Sequence, residues 1–396
     1  MVKVKLVKDL GETNEITFKI HGEYLTLDES ISIKEGEEYR LVLKRGIFYL
    51  KSKHEEQQIN GSFQLIPNVY DTEHYITIND KPYLGVVEFL QEKNSYIRPV
   101  NQLPLEDYLK GVVPFEVFPA WSLESLKAQA LAARTYAFIQ MNQDMDDTIK
   151  YQVYGGFSWD KKTTQAVEET KGEIITFENK PIPAFYSASN GGITESNANV
   201  WGGDPKVYYP VKIDPFDPVQ PWEFMLHRNQ LQIEGIDWDH PTAWDDLVEM
   251  DDRIAGTMKS YLKKNGYLGE IKIVGITHLA IDEDTNASGR TKKGSVTVEF
   301  FHRLFDGTIM LEQFKLEDVN INKIRPMIGG DIFRSYLVDS LEEKDDFYIM
   351  KGRGYGHGVG MSQWGASVMG ERGKSYKAIL QHYFPETEIM EIGEIK

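Results

Sequence analysis

The chain has 396 residues, a formal net charge of −17 and no cysteine. This length predicts two or three domains, and a hydrophobic content of 41% is enough for packed cores. The absence of cysteine excludes disulfides, a thiolate nucleophile and cysteine-ligated zinc. The acidic balance and the lack of a long Lys/Arg run argue against a nucleic-acid partner, which would need a basic face.

The sequence also shows no sign of membrane insertion. No apolar run approaches the ~20 residues of a transmembrane helix. The first residues, MVKVKLVKDL, contain neither the apolar region nor the small-residue cleavage site of a secretory signal. Two alternatives follow: a cytosolic protein, or an exported protein whose signal has been removed.

Residues 1–98 are predicted to form a small β module. The segment EEYRLVLKRGIFYLKS (37–52) alternates between apolar and polar residues and breaks at Gly46. The segment HYITINDKPYLGVVEFLQ (74–91) has the pattern of two strands joined by an Asn-Asp turn. No candidate for chemistry lies in this region.

A helix is predicted immediately after Ser122. Serine is a favourable N-cap, and Glu124 places a negative charge in the first turn, where the helix dipole favours it. Apolar residues at three- and four-residue spacings cover one face, and further alanines and leucines cover the others. The helix is therefore expected to be buried nearly all round, with Gln129 and Arg134 inside it.

The remaining sequence predicts alternating strands and helices. A hairpin is expected over 172–186, a loop rich in hydroxyls and glycine over 187–196, and strands near 271–279 and 295–301. Helices are expected near 251–264 and in a segment ending near Phe384. The fold class is α+β: a β-rich core domain of residues 99–396 around the buried helix, with 218–270 as a peripheral insertion.

The most unusual segment is GRGYGHGVGMSQWGA (352–366), which has glycine at every second position from 352 to 360. The dinucleotide-binding pattern G-x-G-x-x-G fails in every register. The P-loop pattern fails as well, because Val368 stands where its first glycine is required. None of the nine histidines forms H-x-H or H-E-x-x-H, so the motifs disfavour a metal site. No cofactor is expected.

The alternation itself suggests an extended segment with one bare face. Side chains of a strand point to opposite faces with a period of two. The glycines would leave one face empty, and Tyr355 and His357 would lie on the other. A bare face admits either a flat ligand, such as a sugar ring, or another closely packed part of the chain. The pattern does not decide between these alternatives.

Glu116 is the candidate general acid. It stands among valines and phenylalanines in the segment VVPFEVF (112–118), and desolvation by such neighbours raises the pKa of a carboxyl group. A carboxylic acid that stays protonated near neutral pH can protonate a leaving oxygen. The alternative is a structural carboxylate paired with Arg134 or turned to solvent. No spacing selects a second acid among Glu106, Asp107 and Glu124.

Two long segments resemble the stage II sporulation protein D / amidase-enhancer (SpoIID/LytB) family. They are LPLEDYLKGVVPFEVFPAWSLESLKAQALAARTYAF (103–138) and GRGYGHGVGMSQWGASVMGERGKSYKAILQHYFP (352–385). The shorter segments FYSASNGGITES (185–196) and ASGRTKKGSVTV (287–298) resemble family segments in the same order. The resemblance covers residues 80–390, apart from much of 218–270.

The resemblance implies an exported protein that acts on the glycan strands of bacterial peptidoglycan. Sporulation members are lytic transglycosylases: they cleave the β-1,4 bond between N-acetylmuramic acid and N-acetylglucosamine in strands stripped of peptide stems, leaving a 1,6-anhydro ring. Other members enhance an N-acetylmuramoyl-L-alanine amidase, so a cell-wall amidase is a candidate partner. The expected location is the cell wall or the membrane that engulfs the forespore, with the export signal removed from this chain.

The family's catalytic glutamate falls on Glu116. Because the sugar's own 6-hydroxyl attacks in a lytic reaction, a second carboxyl is not required. Some members carry Cys and His near the position of Asn190 as zinc ligands, whereas this chain has no cysteine and is expected to bind no metal. The candidate glycan-binding residues, placed with Glu116 around one cleft, are Arg134, Tyr186, Ser187, Ser189, Asn190, Tyr355, His357, Ser362 and Gln363. A structural role is the alternative for each of them.

Overall fold

The computed structural model describes residues 1–28, 30–59, 61–93, 95–238, 240 and 242–395. Its strands in chain order are β1 (Val2–Lys5), β2 (Glu15–His21), β3 (Tyr24–Thr26), β4 (Glu38–Lys44), β5 (Ile47–Lys51), β6 (Glu56–Ile59), β7 (Phe63–Pro67), β8 (Tyr75–Ile78), β9 (Lys81–Leu84), β10 (Val86–Glu92), β11 (Tyr96–Leu103), β12 (Met145–Asp146), β13 (Glu173–Phe177), β14 (Lys180–Pro181), β15 (Tyr186–Ser187), β16 (Pro221–His227), β17 (Glu270–Ile281), β18 (Lys293–Arg303), β19 (Ile309–Asn320), β20 (Leu337–Lys344), β21 (Phe347–Arg353), β22 (Met361–Ser362) and β23 (Glu388–Glu391).

The α-helices are α1 (Leu105–Lys110), α2 (Val113–Glu116), α3 (Leu123–Gln140), α4 (Lys161–Glu169), α5 (Asn197–Trp201), α6 (Asp252–Lys264), α7 (Arg325–Ile328), α8 (Gln363–Glu371) and α9 (Tyr376–Tyr383). Two short 3-10 helices cover Ile321–Lys323 and Ile392–Glu394. The predicted α+β class is confirmed. Within the described residues, no helix is long and apolar enough to span a membrane.

The chain divides into two compact units. Unit 1 comprises Met1–Phe185 and Met369–Lys396, and unit 2 comprises Tyr186–Val368. This division differs from the predicted one. The predicted boundary at residue 98 falls inside β11, which pairs with β1 and β10 in the same sheet. The predicted insertion at 218–270 contains β16, which pairs along its whole length with β21.

The N-terminal part of unit 1 is built from two six-stranded sheets, as the alternating sequence suggested. Their strand orders are β12-β1-β11-β10-β7-β3 and β6-β5-β4-β2-β8-β9. Phe18 of the second sheet packs on Phe63 and Phe89 of the first, with ring centroids 6.0 and 5.6 Å apart. The predicted Asn-Asp turn joins β8 to β9, and both turn residues have the positive φ that such a tight hairpin requires.

The predicted helix is α3, and its burial is also as expected. Ser122 caps it by accepting a hydrogen bond from the backbone N–H of Ser125. Its buried residues include alanines and leucines on every face together with Gln129 and Arg134. The predicted hairpin is confirmed as β13 and β14, and β23 completes that sheet on its other side.

Unit 2 contains two three-stranded antiparallel sheets, β16-β21-β20 and β17-β18-β19, together with the short parallel pair β15-β22. Phe224, Phe300, Phe333 and Met350 belong to its buried apolar cluster. The apolar face of α6 joins the same cluster through residues spaced three and four apart. This core supports the loops that carry the candidate residues of unit 2.

Candidate active site

Glu116 is the last residue of the short helix α2 in unit 1. Pro114 lies in the first turn of this helix, where its missing N–H costs nothing, and Val117 then turns to an extended conformation. The Glu116 side chain is partly buried, and its Oε1 accepts a hydrogen bond of 2.8 Å from the backbone N–H of Val153. One carboxylate oxygen is thus held by the backbone.

The apolar neighbours of Glu116 divide into two sets. The adjacent valines are buried in the core of unit 1. Phe115 and Phe118 instead keep 45% and 59% of their surface exposed. The glutamate is therefore flanked by apolar groups on both sides, as the sequence indicated, but its aromatic neighbours face the solvent rather than the core.

The segment that donates to Glu116 is itself fixed by buried hydrogen bonds. Gln152 accepts from the hydroxyl of Tyr108 and donates to a carbonyl of α3, both at 3.2 Å. The hydroxyl of Tyr154 donates to Asn101 Oδ1 at 2.8 Å. Because these partners are core residues, the donor facing Glu116 is held in place by the fold.

This supporting segment, YQVYGG (151–156), was missed by the sequence reasoning. A Cβ on Gly155 would lie 1.9 Å from the Phe115 ring, so the backbone there can carry no side chain. The backbone N–H of Gly155 also donates to the carbonyl of Gly111 at 2.9 Å. The Gly-Gly pair between aromatic residues was the available signal for a close approach.

Arg134 is a buried structural cation. Its Nε and Nη2 form an ion pair with Glu106, at 2.9 and 2.8 Å. Its Nη2 also donates to the carbonyl of Val167, and its Nη1 donates to the Thr170 hydroxyl and the Glu173 carbonyl. A guanidinium has five N–H donors, and these partners take all five. This geometry corrects the expectation that Arg134 orients the catalytic glutamate or binds glycan.

The three other acids near Glu116 in sequence also have structural contacts. Asp107 accepts a hydrogen bond of 2.7 Å from the Tyr70 hydroxyl. Glu124 accepts one of the same length from the backbone N–H of Tyr376. Glu106 forms the ion pair described above. None of these contacts marks a second catalytic carboxyl.

Unit 2 contains a buried polar network centred on Asp217. Its carboxylate accepts hydrogen bonds from the hydroxyls of Ser189 and Ser362, at 2.8 and 2.6 Å. It also accepts from the backbone N–H groups of Asn190 and Val219, at 2.8 and 2.7 Å. Asp217 thereby joins the 189–190 loop to β22 and to its own turn, and its role was not predicted.

Three predicted sugar contacts belong to this network. Ser189, Asn190 and Ser362 are at most 1% exposed. The Asn190 amide donates to Asp214 at 2.7 Å and accepts from a backbone N–H at 3.0 Å. A sugar could reach these groups only by replacing buried hydrogen bonds, which is costly. The geometry therefore corrects their assignment from direct sugar contacts to residues that shape the loop.

The glycine-rich segment is not extended, contrary to the prediction. The strand β21 ends at Arg353, and the four glycines from 354 to 360 all have positive φ. A Cβ on Gly356 would lie 2.6 Å from the Cβ of Ser187, and one on Gly358 would lie 2.0 Å from Nη2 of Arg290. The glycines thus admit another part of the same chain, which was one of the two alternatives.

The other face of this segment presents the predicted aromatic residues. Tyr355 is 39% exposed, and the Arg334 guanidinium lies 5.5 Å above its ring. His357 as a residue is partly exposed, but its ring is desolvated by its surroundings and meets the edge of Trp201, with centroids 5.0 Å apart. Tyr186 is partly exposed, whereas Ser187 and Gln363 are 8% and 7% exposed. Glycan contact by Tyr186, Ser187, Tyr355, His357 and Gln363 stays a prediction.

His357 is held as a neutral imidazole. Its Nδ1 accepts a hydrogen bond of 3.0 Å from the backbone N–H of Val359, and the ring also bonds to the backbone of Tyr186. Burial and, secondarily, the positive charge of Arg290 lower the pKa of His357 to about 4. At neutral pH the ring therefore organises the turn and carries no charge.

This shift predicts a pH-dependent contribution to stability. The unfolded chain binds a proton at position 357 near pH 6.5, whereas the folded chain does not until about pH 4. The free energy of unfolding should thus fall by about 1–3 kcal/mol as the pH drops through this window. Urea titrations at several pH values should show a shallower fall for His357→Gln. If the free energy of unfolding falls equally with pH in the unaltered protein and in His357→Gln, the lowered pKa of His357 is contradicted.

No metal centre is evident in the described part of the chain. No group of three His, Cys, Asp or Glu side chains is arranged there to hold an ion. The amide of Asn190, at the position where a metal ligand was considered, is bonded to Asp214 instead. Arg134 and Asp217, with Ser189, Asn190 and Ser362, hold the fold, and Glu116 is partly exposed.

Comparisons with known proteins agree with these motifs. Residues 93–177, which include Glu116, match the model of the SpoIID family, described as stage II sporulation protein. The chain is 36% identical over 384 residues to the amidase enhancer of Bacillus subtilis, covering 96% of this chain and 53% of that protein. It thus spans about half the length of that relative.

Two further relatives are similar over most of their length. An uncharacterized protein of Brachyspira hyodysenteriae is 30% identical over 338 residues, covering 83% of this chain and 77% of that protein. The stage II sporulation protein D of Bacillus amyloliquefaciens is 29% identical over 315 residues, covering 74% and 76%. The chain therefore belongs to the SpoIID/LytB family.

Proposed function

We propose that this protein is a lytic transglycosylase that cleaves peptide-stripped glycan strands of peptidoglycan, with Glu116 as the general acid and base. Family membership supports a role in the cell wall. The observation that carries the finer proposal is the position of Glu116, a partly buried carboxylate with one oxygen held by the Val153 amide. Its substrate lies outside the cytoplasm, so the protein would act there.

The proposed reaction needs only one carboxyl group. Glu116 gives its proton to the glycosidic oxygen while the bond from that oxygen to C1 of N-acetylmuramic acid breaks. The carboxylate then takes the proton of the 6-hydroxyl on the same sugar, and that oxygen bonds to C1. The proton balance closes, a 1,6-anhydro ring forms, and no water is consumed. This differs from the two-carboxylate mechanism of most glycosidases.

The environment of Glu116 suits this double role. The hydrogen bond from the Val153 N–H to Oε1 fixes the position of the carboxyl group that would exchange the proton. The exposed rings of Phe115 and Phe118 flank the carboxyl with apolar surface, against which sugar rings can pack. In unit 2, we propose Tyr186, Tyr355 and His357 as glycan contacts, because these residues are not fully buried.

Mass spectrometry of defined strands tests the proposed function. Purified glycan from which an amidase has removed the peptide stems is incubated with this protein alone. Products ending in 1,6-anhydro-N-acetylmuramic acid, one water lighter than hydrolysis products, are expected. Release of reducing ends instead would show a hydrolase, and intact strands would exclude glycan cleavage.

A second candidate function is enhancement of a cell-wall amidase without glycan cleavage. It is favoured by one observation, the name and 36% identity of the Bacillus subtilis amidase enhancer. Glycan strands that have not been stripped and still carry their peptide stems are then incubated with an N-acetylmuramoyl-L-alanine amidase in the presence and absence of this protein. Faster stem release, with no anhydro products from the protein alone, would support the enhancer and overturn the lytic mechanism.

A further inference from the structure

Unit 2 contains a small polar cavity that the proposed mechanism does not use. Its volume is about 170 Å³, which corresponds to roughly five or six water molecules at ~30 Å³ each. It is therefore large enough for one small polar group with part of a sugar ring. Its lining includes four amide side chains and two aromatic rings: Asn199, Asn286, Asn320, Asn322, Trp201 and Tyr336.

Arg290 also lines this cavity, and its hydrogen bonding is incomplete. The residue is 2% exposed. Its Nη2 donates to the carbonyls of Asn190 and Ile193, at 2.9 and 3.2 Å. Its Nε and Nη1 have no acceptor within reach in the described part of the chain. Three charged N–H donors are thus buried and unused, an arrangement that favours a ligand carrying an acceptor oxygen.

The charge around the cavity favours a neutral ligand. Glu195 is fully buried and lines the same cavity. Its carboxylate accepts hydrogen bonds from the Ser288 hydroxyl and the Asn199 amide, at 2.5 and 2.7 Å, and it lies close to Arg290. Lys292 is paired with Asp284 at 3.0 Å. An anionic ligand would meet the repulsion of Glu195, whereas a neutral carbonyl would not.

The rim of the cavity suits a sugar. Trp201 is 51% exposed there, and its indole offers a flat apolar surface for the C–H face of a pyranose ring. The asparagine amides can both donate to and accept from an amide or hydroxyl group. The residues that line the cavity thus combine a cationic donor, amide groups and one exposed aromatic ring. The space that they enclose fits about one substituent of a sugar.

We propose that this cavity binds the acetamido group of an N-acetylated sugar in the glycan strand. The acetamido oxygen accepts from Nε or Nη1 of Arg290, the acetamido N–H donates to an asparagine side chain, and the ring packs on Trp201. The inference rests on the proposed function, because it takes the glycan as the ligand. The inference adds to the proposed function a site that recognises the acetamido group of the sugar.

Calorimetric titration of the full chain carrying Glu116→Gln tests this without cleavage of the ligand. The probes are chitotetraose, in which every sugar is N-acetylated, and cellotetraose, which lacks the acetamido groups. Chitotetraose should bind at least about tenfold more tightly, because a site built to hydrogen-bond a group rejects the analogue without it. Equal affinities for the two tetramers, or no binding of chitotetraose, would overturn the inference.

Three further substitutions in the same background locate the site. Trp201→Ala and Arg290→Lys should each weaken chitotetraose binding by about tenfold. Trp238→Ala is the matched control, since Trp238 is also exposed in unit 2, at 46%, and packs edge-on against Phe301. If Arg290→Lys fails to fold, the affinity of Trp201→Ala for chitotetraose still tests whether the sugar binds in this cavity. Binding unchanged by Trp201→Ala overturns the proposed site.

The two proposals fail separately. A protein that binds chitotetraose through Trp201 and Arg290, but releases no anhydro products from stripped strands, keeps this site and loses the lytic function. A protein that cleaves strands, but binds both tetramers alike, keeps the lytic function and loses this site.

Discussion

Replacing Glu116 by glutamine should abolish the release of anhydro products from peptide-stripped strands. The amide keeps the size of the side chain and can still accept from the Val153 N–H through its oxygen. It cannot give or take the proton that the reaction transfers. General acid–base catalysis contributes about 10²–10⁴-fold, so the cleavage rate should fall by at least that range. Quantitative chromatography of the products measures it.

Glu168→Gln is the matched control for this substitution. Glu168 lies in the same unit, with 60% of its side chain exposed, and pairs with Lys110 at 3.3 Å. Exposed pairs contribute at most about 1 kcal/mol, so its loss should leave both folding and cleavage unchanged. If Glu116→Gln cleaves strands as fast as Glu168→Gln, Glu116 is not the acid.

The elements that were predicted correctly depend on contacts close in sequence. The Ser122 cap and α3 follow from residues within one or two turns of each other. The turn at Asn79 and Asp80 follows from the preference of these residues for positive φ. Glu116 was chosen as the candidate acid from apolar neighbours and a motif that also lie within a few residues of it, and its catalytic role stays a prediction.

The residues whose roles were misjudged are determined by distant partners. Arg134 is bonded to Glu106, 28 positions earlier, and to residues more than 30 positions later. Asp217 is bonded to Ser362, 145 positions away. No local pattern reports such partners, so a buried arginine or a loop serine could equally well have been a ligand-binding group.

The glycine-rich segment shows the same limit. Glycine at every second position is compatible with two conformations: an extended strand, and an irregular segment in which every second residue is a glycine with positive φ. Gly356 and Gly358 have positive φ, and Ser187 and Arg290, both far away in sequence, approach them so closely that no Cβ would fit. The glycines in the sequence therefore indicated that another group approaches the backbone closely, but they did not indicate which group it is.

Replacing Arg134 by methionine should strongly destabilise unit 1 without removing the proposed general acid, Glu116. The substitution removes an ion pair and three further hydrogen bonds from a fully buried position, and it leaves the Glu106 carboxylate without its cation. Breaking a buried pair by removing one partner costs about 3–5 kcal/mol. Urea unfolding followed by circular dichroism should show this loss as a lower midpoint.

Arg40→Met is the matched control for Arg134→Met, because it removes an arginine from an exposed ion pair instead of a buried one. Arg40 also pairs with a glutamate in unit 1, Glu15 at 3.2 Å, but 58% of its side chain is exposed, so its loss should cost at most about 1 kcal/mol. The structural role of Arg134 further requires that Arg134→Met, assayed at a temperature where it is folded, cleaves strands as fast as Arg40→Met. A variant that is as stable as the unaltered protein but inactive would return Arg134 to the glycan-binding residues.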